Sequence, residues 1–275
     1  MGQLVWIASY PKSGSTWVRA FLHNYIRQPD TPYDINSLTD LTAADSNAER
    51  YQRYDPRPAA HYTIADVQRM RPLVHRDLTG LDSTLVFVKT HSALLQVEGA
   101  PLITPEVTAG AIYIVRDPRD IAVSYSRHWG RSIDATIAFM ADPEAATGGT
   151  EARVYERHSS WSVHVHFWTR HPNPRLHVMR YEAMVANPEE SFGALISWLG
   201  QDPPPDRLRR AVRFSALDGL RAQEQAKGFV ERPAEATGPF FGTGQPGRWR
   251  SVLSPAQQAR IERDHAAMMQ QFGYL

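Results

Sequence analysis

The chain has 275 residues, 42% hydrophobic and 21% charged, with a formal net charge of +1 and no cysteine. That length suits one large α/β domain with a sizeable buried core; so even a charge balance excludes both a disordered chain and a nucleic-acid binder held by a broad basic face. Without cysteine there is no disulfide frame, thiolate nucleophile or Cys-based metal cluster, and no apolar run approaches the roughly 18 residues of a membrane span. The N-terminus lacks the pattern of a signal peptide, and Trp6 stands where a myristoylation motif needs Ser or Thr, so a soluble cytoplasmic protein is expected.

Residues 4–10 (LVWIASY) form the first predicted strand, an apolar run with little alternation, as a sheet covered on both faces requires. A loop of small residues leads into a predicted helix over 16–27. The stretch from about 30 to 80 is less regular and reads as a lid or acceptor-facing insertion. Strands are predicted again at 85–89 (LVFVK) and 111–115 (AIYIV), the latter running into a helix over 118–129. A second irregular stretch spans 130–158. A helix over 159–170, read as a surface helix despite its histidines, precedes the strand at 176–181 (LHVMRY) and a helix over 188–199. Arg207, Arg209, Arg210 and Arg213 lie on a further predicted helix, as a solvated basic face. Ser254 and Pro255 carry the cap and first-turn signals of a last helix over 255–272. Pro and Gly cluster at 28–32, 202–205 and 238–247, none long enough for an interdomain linker. The expectation is a single α/β domain over 1–275: a central parallel sheet flanked by helices, with a P-loop-like strand-loop-helix at its start.

In such sheets ligands bind beyond the carboxyl ends of the strands. The four strand ends carry Pro11-Lys12-Ser13-Gly14-Ser15-Thr16, Lys89-Thr90-His91, Arg116-Asp117-Pro118-Arg119 and Arg180-Tyr181-Glu182. Cations, hydroxyls and a histidine converging on one edge point to an anion site. The first segment differs from a Walker A loop, because Lys12 precedes its only glycine. Its backbone N–H groups and helix N-terminus suit a phosphate all the same.

These residues carry a resemblance. Tyr10-Pro-Lys-Ser-Gly-Ser-Thr-Trp17 resembles the 5′-phosphosulfate loop (YPKSGTTW) of the cytosolic-type sulfotransferases, and the segment 116–125 (RDPRDIAVSY) resembles their 3′-phosphate motif. Lys89-Thr90-His91 matches the family's KTH segment, Tyr181-Glu182 with Asn187-Pro188 its YEDM…NP element, and the segment 244–250 (GQPGRWR) its C-terminal loop. The likeness runs in family order from residue 4 to about 255, as a bacterial-like member. It implies 3′-phosphoadenosine 5′-phosphosulfate (PAPS) as donor and transfer of its sulfuryl group to a hydroxyl or amine of a small-molecule acceptor, with no metal. It implies that Lys12, Ser13, Gly14, Ser15 and Thr16 hold the 5′ side, Trp17 stacks on adenine, Arg116 and Ser124 bind the 3′-phosphate, and Tyr181 and Phe214 approach the adenine. Gly247 and Arg248 would close from the C-terminal loop. That loop departs from the family: Phe241-Gly242-Thr243-Gly244 stand where Arg-Lys-Gly is usual, and Arg248 replaces an Asp, so Arg248 or Arg250 is expected to supply the missing charge. Ser254-Pro255 replace the Thr-Val of the family's dimer motif, leaving the oligomeric state open.

The chemistry needs a base, charge on the sulfuryl oxygens and stabilisation of the leaving phosphate. Of eleven histidines, His91 alone combines a pKa near working pH with a place two residues beyond Lys89 at a core strand end. Lys12 and Lys89 can neutralise developing charge. Of 30 basic residues only three are Lys, at 12, 89 and 227. Two of the three therefore fall in the proposed catalytic segments, and Lys227 is assigned to a loop or the surface. Two other classes share the same cradle: a Mg²⁺-dependent phosphotransferase using ATP, and a nucleotide-binding module without turnover.

Overall fold

The computed structural model describes residues 2–82 and 84–275. Five parallel strands form the central sheet: β1 (Gln3–Ser9), β2 (Thr42–Ala44), β3 (Leu85–Thr90), β4 (Thr108–Val115) and β5 (Leu176–Arg180). Their spatial order is β2-β3-β1-β4-β5. The register pairs Ala8 with Thr90 and with Tyr113, and Val115 with Arg180, which aligns the carboxyl ends of four strands along one edge.

The apolar runs are buried on both faces because alternate side chains leave a strand in opposite directions. Leu4, Trp6 and Ala8 join one hydrophobic cluster, whereas Val5 and Ile7 join the other. Against the Val5 and Ile7 face lie the helices Ser15–Arg27, Pro188–Trp198 and Pro205–Phe214, through Phe21, Phe192 and Ala211. Against the other face lie Ile64–Leu78, Pro118–Trp129, Trp161–Thr169 and Pro255–Gln271, through Val74, Ile121, Trp161 and Ile261. The result is three layers, helix on sheet on helix.

All four predicted strands and the six predicted helices form; the five helices given bounds match to within two residues at each end, whereas the strand expected at 111–115 begins three residues earlier, at Thr108. The irregular stretches are more ordered than expected. Residues 64–78 form a fifteen-residue helix closed by a capping box between Thr63 and Asp66. It is amphipathic, with Val67, Met70, Val74 and Leu78 buried, and it carries Pro72 in its interior. Ser132 caps another helix, Ile133–Ala141. The edge strand β2 has only three residues, too few for a periodic signal. The basic helix Pro205–Phe214 is more than a solvated face. Arg207 donates to the Tyr25 carbonyl at 2.9 Å and Arg210 to the Gln28 carbonyl at 2.9 Å, so two guanidinium groups cap the C-terminus of the first long helix. At the other end of the chain, Ser254 closes a capping box with Gln257. Among the described residues no helix is long and apolar enough to cross a membrane.

Candidate active site

The loop between β1 and the first helix folds tightly, and two of its residues take left-handed backbone. Lys12 has φ 67° and Gly14 φ 112°. Lys12 thus holds a conformation that costs a non-glycine residue of order 1–3 kcal/mol, the kind of strain that collects at functional sites. At Gly14 an added Cβ would lie 2.8 Å from the Tyr181 ring, so the loop closes on the end of β5 only with glycine there. Gly14 begins the helix with no capping side chain, and the free first-turn N–H groups of an α-helix suit an anion.

The loop opens into a cleft of about 890 Å³ at the carboxyl edge of the sheet. Lys12, Gly14, Ser15, Thr16, Trp17, Lys89, His91, Arg116, Ser124, Tyr181 and Arg248 all line it, as the sequence placed them. Ser13 lies fully buried beneath the loop. Gly247 does not line the cleft. It enters the turn at Arg248–Ser251 with φ 82°, its N–H directed at Asp120. Phe214 also lies outside the lining: it ends its helix beside Arg210 and Arg213, and Leu217 of the next helix lines the cleft. Lys227 pairs with Asp34 at 2.7 Å on the surface.

Lys12 extends across the loop, its Nζ 3.6 Å above the Phe240 ring and 3.5 Å from His128 Nδ1. Burial, with the charges of Arg116 and Lys89 nearby, brings its pKa down to about 7. Arg116 donates to the Lys12 carbonyl at 3.0 Å and stacks 4.0 Å over the Tyr181 ring. Trp17 packs edge-on against Tyr181 and Phe192, with one side in the core and one in the cleft. Three buried donors here have no acceptor in the protein: Ser13 Oγ, Trp17 Nε1 and Arg116 Nε. Buried polar groups are rarely left unpaired, so orphaned donors around a loop fit an acceptor-rich ligand.

His91 is held from several sides. Its Nδ1 lies 2.8 Å from the Ser9 carbonyl, which can only accept. Nδ1 therefore carries the proton and Nε2 keeps a free lone pair. The His91 N–H donates to Glu156 Oε1 at 3.2 Å, and its carbonyl accepts from His158 Nδ1 at 3.1 Å and His164 Nε2 at 3.2 Å. The tautomers of those two rings follow, because Tyr113 donates its hydroxyl proton to His164 Nδ1 and Thr147 donates to His158 Nε2. The helix Trp161–Thr169 is therefore not a surface helix: His164 is fully buried in service of His91. Burial, then Lys89 and His158, push the His91 pKa well below its ordinary value, so the ring is neutral. Lys89 lines the cleft nearby, its pKa also lowered by burial. Beside it, burial would raise Glu231, but Arg19 and Lys89 hold its carboxyl at about 2. Glu231 pairs with Arg19 at 2.7 Å, and Arg19 in turn donates to the Thr42 hydroxyl.

A family model for the sulfotransferase domain matches residues 3–273, almost the whole chain. The chain belongs to the sulfotransferase family. Dog sulfotransferase 1A1 is 23% identical over 276 residues, covering 97% of this chain and 83% of its own. Cytosolic sulfotransferase 16 of Arabidopsis thaliana is 25% identical, covering 93% of this chain and 73% of its own. Among solved structures, mouse sulfotransferase SULT7A1, complexed with PAP, superposes with a TM-score of 0.63 at 18% identity, over 97% of this chain and 84% of that one. Retinol dehydratase, in complex with androsterone and inactive cofactor PAP, does so with a TM-score of 0.64 at 16% identity, over 97% and 80%. These two likenesses establish the fold. The relatives do not support the narrower bacterial-like placement.

The C-terminal loop of this sulfotransferase is held by carboxylates that sequence reasoning missed. Glu224 accepts from the N–H groups of Phe240 (2.6 Å) and Phe241 (2.9 Å), and Asp120 accepts from Gly247 (2.6 Å) and Trp249 (3.0 Å). The helix cap and the orientation of Arg119 fall to Asp117 instead, which accepts from the Arg119 N–H at 2.9 Å and its guanidinium at 2.8 Å. Of the two arginines expected to restore charge, Arg248 lines the cleft, whereas Arg250 lies over the Trp249 ring at 4.4 Å. Hydrogen bonds to a charged group contribute about 1.5–3 kcal/mol each. Asp120→Ala is therefore expected to loosen residues 238–250, seen as faster proteolytic cleavage there and at least tenfold weaker nucleotide binding. Unchanged cleavage would show that Asp120 does not hold the loop.

Proposed function

We propose that the protein transfers the sulfuryl group of PAPS to a hydroxyl of a small-molecule acceptor. The observation that carries this reading is the meeting in one cleft of the anion-binding loop, Arg116 and Ser124 with a neutral His91 whose Nε2 is free. The orphaned donors at Trp17 and Arg116, both of which line the cleft, fit a ligand rich in acceptors. The donor supplies an activated sulfuryl group when bound. Lys12 and the loop N–H groups would hold its 5′ side, Arg116 and Ser124 its 3′-phosphate, and Trp17 and Tyr181 its adenine.

His91 Nε2 takes the proton from the acceptor hydroxyl as the oxygen attacks sulfur. The ring is oriented for this by the Ser9 carbonyl and stays neutral through burial. Lys12 and Lys89 place positive charge beside the sulfuryl oxygens and the leaving phosphate. A sulfuryl group carries less negative charge than a terminal phosphoryl, so the two lysines serve without a divalent cation.

Incubation with radiolabelled PAPS, a panel of phenols, alcohols and amines, and EDTA is expected to give labelled acceptor. Nucleotide binding without product would replace this reading by a non-catalytic module. Transfer from ATP only in the presence of Mg²⁺ would replace it by a phosphotransferase.

A further inference from the structure

The cleft has a second cationic end that the donor groups do not use. The cleft is also walled by Tyr125, Trp129 and Phe139, with Tyr125 and Trp129 ring centroids 4.2 Å apart and Trp129 and Phe139 4.5 Å apart. Two arginines, Arg131 and Arg153, line this end, and neither is ion-paired among the described residues. Of the lining carboxylates, Asp120 serves the C-terminal loop, Glu156 the His91 N–H and Glu231 Arg19, while Glu235 is exposed and, among the described residues, forms no ion pair with Arg131 or Arg153.

Arg153 is rooted firmly for a residue in an exposed hairpin. Its backbone bridges to Asn47, the Ala48 N–H donates to the Ala152 carbonyl at 3.1 Å and the Val154 N–H to Ser46 at 2.9 Å. Its own N–H donates to the Thr150 hydroxyl at 3.1 Å. Its charge reaches His91, His128, Glu156 and Glu231, and with Arg131 it reaches the Tyr125 phenol. Arg131 stacks on Trp129 with its guanidinium carbon 4.5 Å from the ring centroid. A guanidinium fork without a carboxylate is suited to a planar oxyanion.

We propose that the acceptor is an anionic hydroxyl compound, whose carboxylate or similar oxyanion is held by Arg153 with Arg131 beside it while its hydroxyl meets His91. This rests on the sulfuryl-transfer reading and narrows its acceptor. A flat ring lies against Trp129 and Phe139, and the anion fixes which end enters the site. Lys12, Lys89 and Arg153, which all line the cleft, then face a donor and an acceptor that are both anionic.

The test uses the full-length protein with PAPS and matched pairs of acceptors: hydroxybenzoate, hydroxyphenylacetate, hydroxyphenylpropionate and ω-hydroxyalkanoates, each against its methyl ester. At least one acid is expected to exceed its ester about tenfold or more in kcat/KM, mainly through KM. Arg153→Gln is expected to bring that ratio to within about threefold of one, Arg131→Gln to reduce it less, and Arg153→Lys to restore part of it. Calorimetry with 3′-phosphoadenosine 5′-phosphate confirms that each variant is folded. Esters sulfated as well as acids would overturn the inference and leave the transfer reading standing. So would an Arg153→Gln variant that slows acid and ester equally, since Arg153 would then serve the sulfuryl group. No sulfation of any acceptor would strike the transfer reading itself, and the inference with it.

Discussion

His91→Ala is expected to lower kcat by about 10²–10⁴, the usual contribution of a positioned general base, while the dissociation constant for 3′-phosphoadenosine 5′-phosphate changes less than about threefold. The separation of the two effects follows from the geometry. His91 is bonded to Ser9 at the end of β1 and to Glu156, His158 and His164 through its main chain, and to none of Lys12, Arg116 or Ser124. The pH profile offers a second reading. A base must be unprotonated to work, and His91 has its pKa pushed well below 6.5, chiefly by burial. The acid limb of the wild-type kcat/KM profile should therefore lie below pH 6.5, and it should vanish with the imidazole. Loss of nucleotide binding equal to the loss of turnover would remove His91 from the base role. Glu156→Gln, which leaves an acceptor for the His91 N–H, is the control for disturbance of the strand end.

Much of this site was legible because its residues sit at strand ends, where local sequence shows both the element and its chemistry. Lys89-Thr90-His91 closes an apolar run, and Arg116 opens a helix with Asp117 and Pro118 as cap and first residue. What sequence could not show is what holds those ends in place. Asp120 lies in a helix, 127 residues before the Gly247 N–H it accepts. Glu224 lies in a helix whose local pattern says only that it is polar. Nothing local reveals that the ring N–H groups of His158 and His164 both end on the His91 carbonyl. Behind them Asp45, 45 residues from Thr90 in sequence, accepts its hydroxyl and pairs with Arg71 in full burial; burial, with Glu156 near, pushes the Asp45 carboxyl up to about 7. The helix Ile64–Leu78 was hidden by the interior Pro72 and by its arginines, although its apolar spacing is regular. Phe214, assigned on family likeness without a local signal, lies outside the lining of the cleft.

Lys12→Arg is expected to keep the charge and lose the reaction, with kcat down about 10²–10³, the usual cost of removing one preorganised donor from a transition state. The Lys12 ammonium is a compact point charge fitted between the Phe240 ring at 3.6 Å and His128 at 3.5 Å, on backbone with φ 67°. A planar guanidinium is broader and directs its donors in a fixed fork, so it cannot occupy that gap and point at a single oxygen. The two cations also differ in titration. Burial, Arg116 and Lys89 bring Lys12 to about 7, so near neutral pH it is only partly charged in the free protein. An anionic donor favours the ammonium and raises that pKa, so binding must take up a proton between the free and bound values. Wild-type affinity for 3′-phosphoadenosine 5′-phosphate should be nearly level below pH 7 and fall as pH rises above it, by up to about tenfold per unit. Arginine stays charged throughout, so Lys12→Arg should flatten this dependence even as it slows transfer. Calorimetry in two buffers of different ionisation enthalpy measures the proton uptake directly. Turnover near wild type in Lys12→Arg would show that any cation serves at this position. A wild-type affinity independent of pH between 7 and 9 would show that Lys12 is charged before the nucleotide arrives, and that its burial has no part in binding.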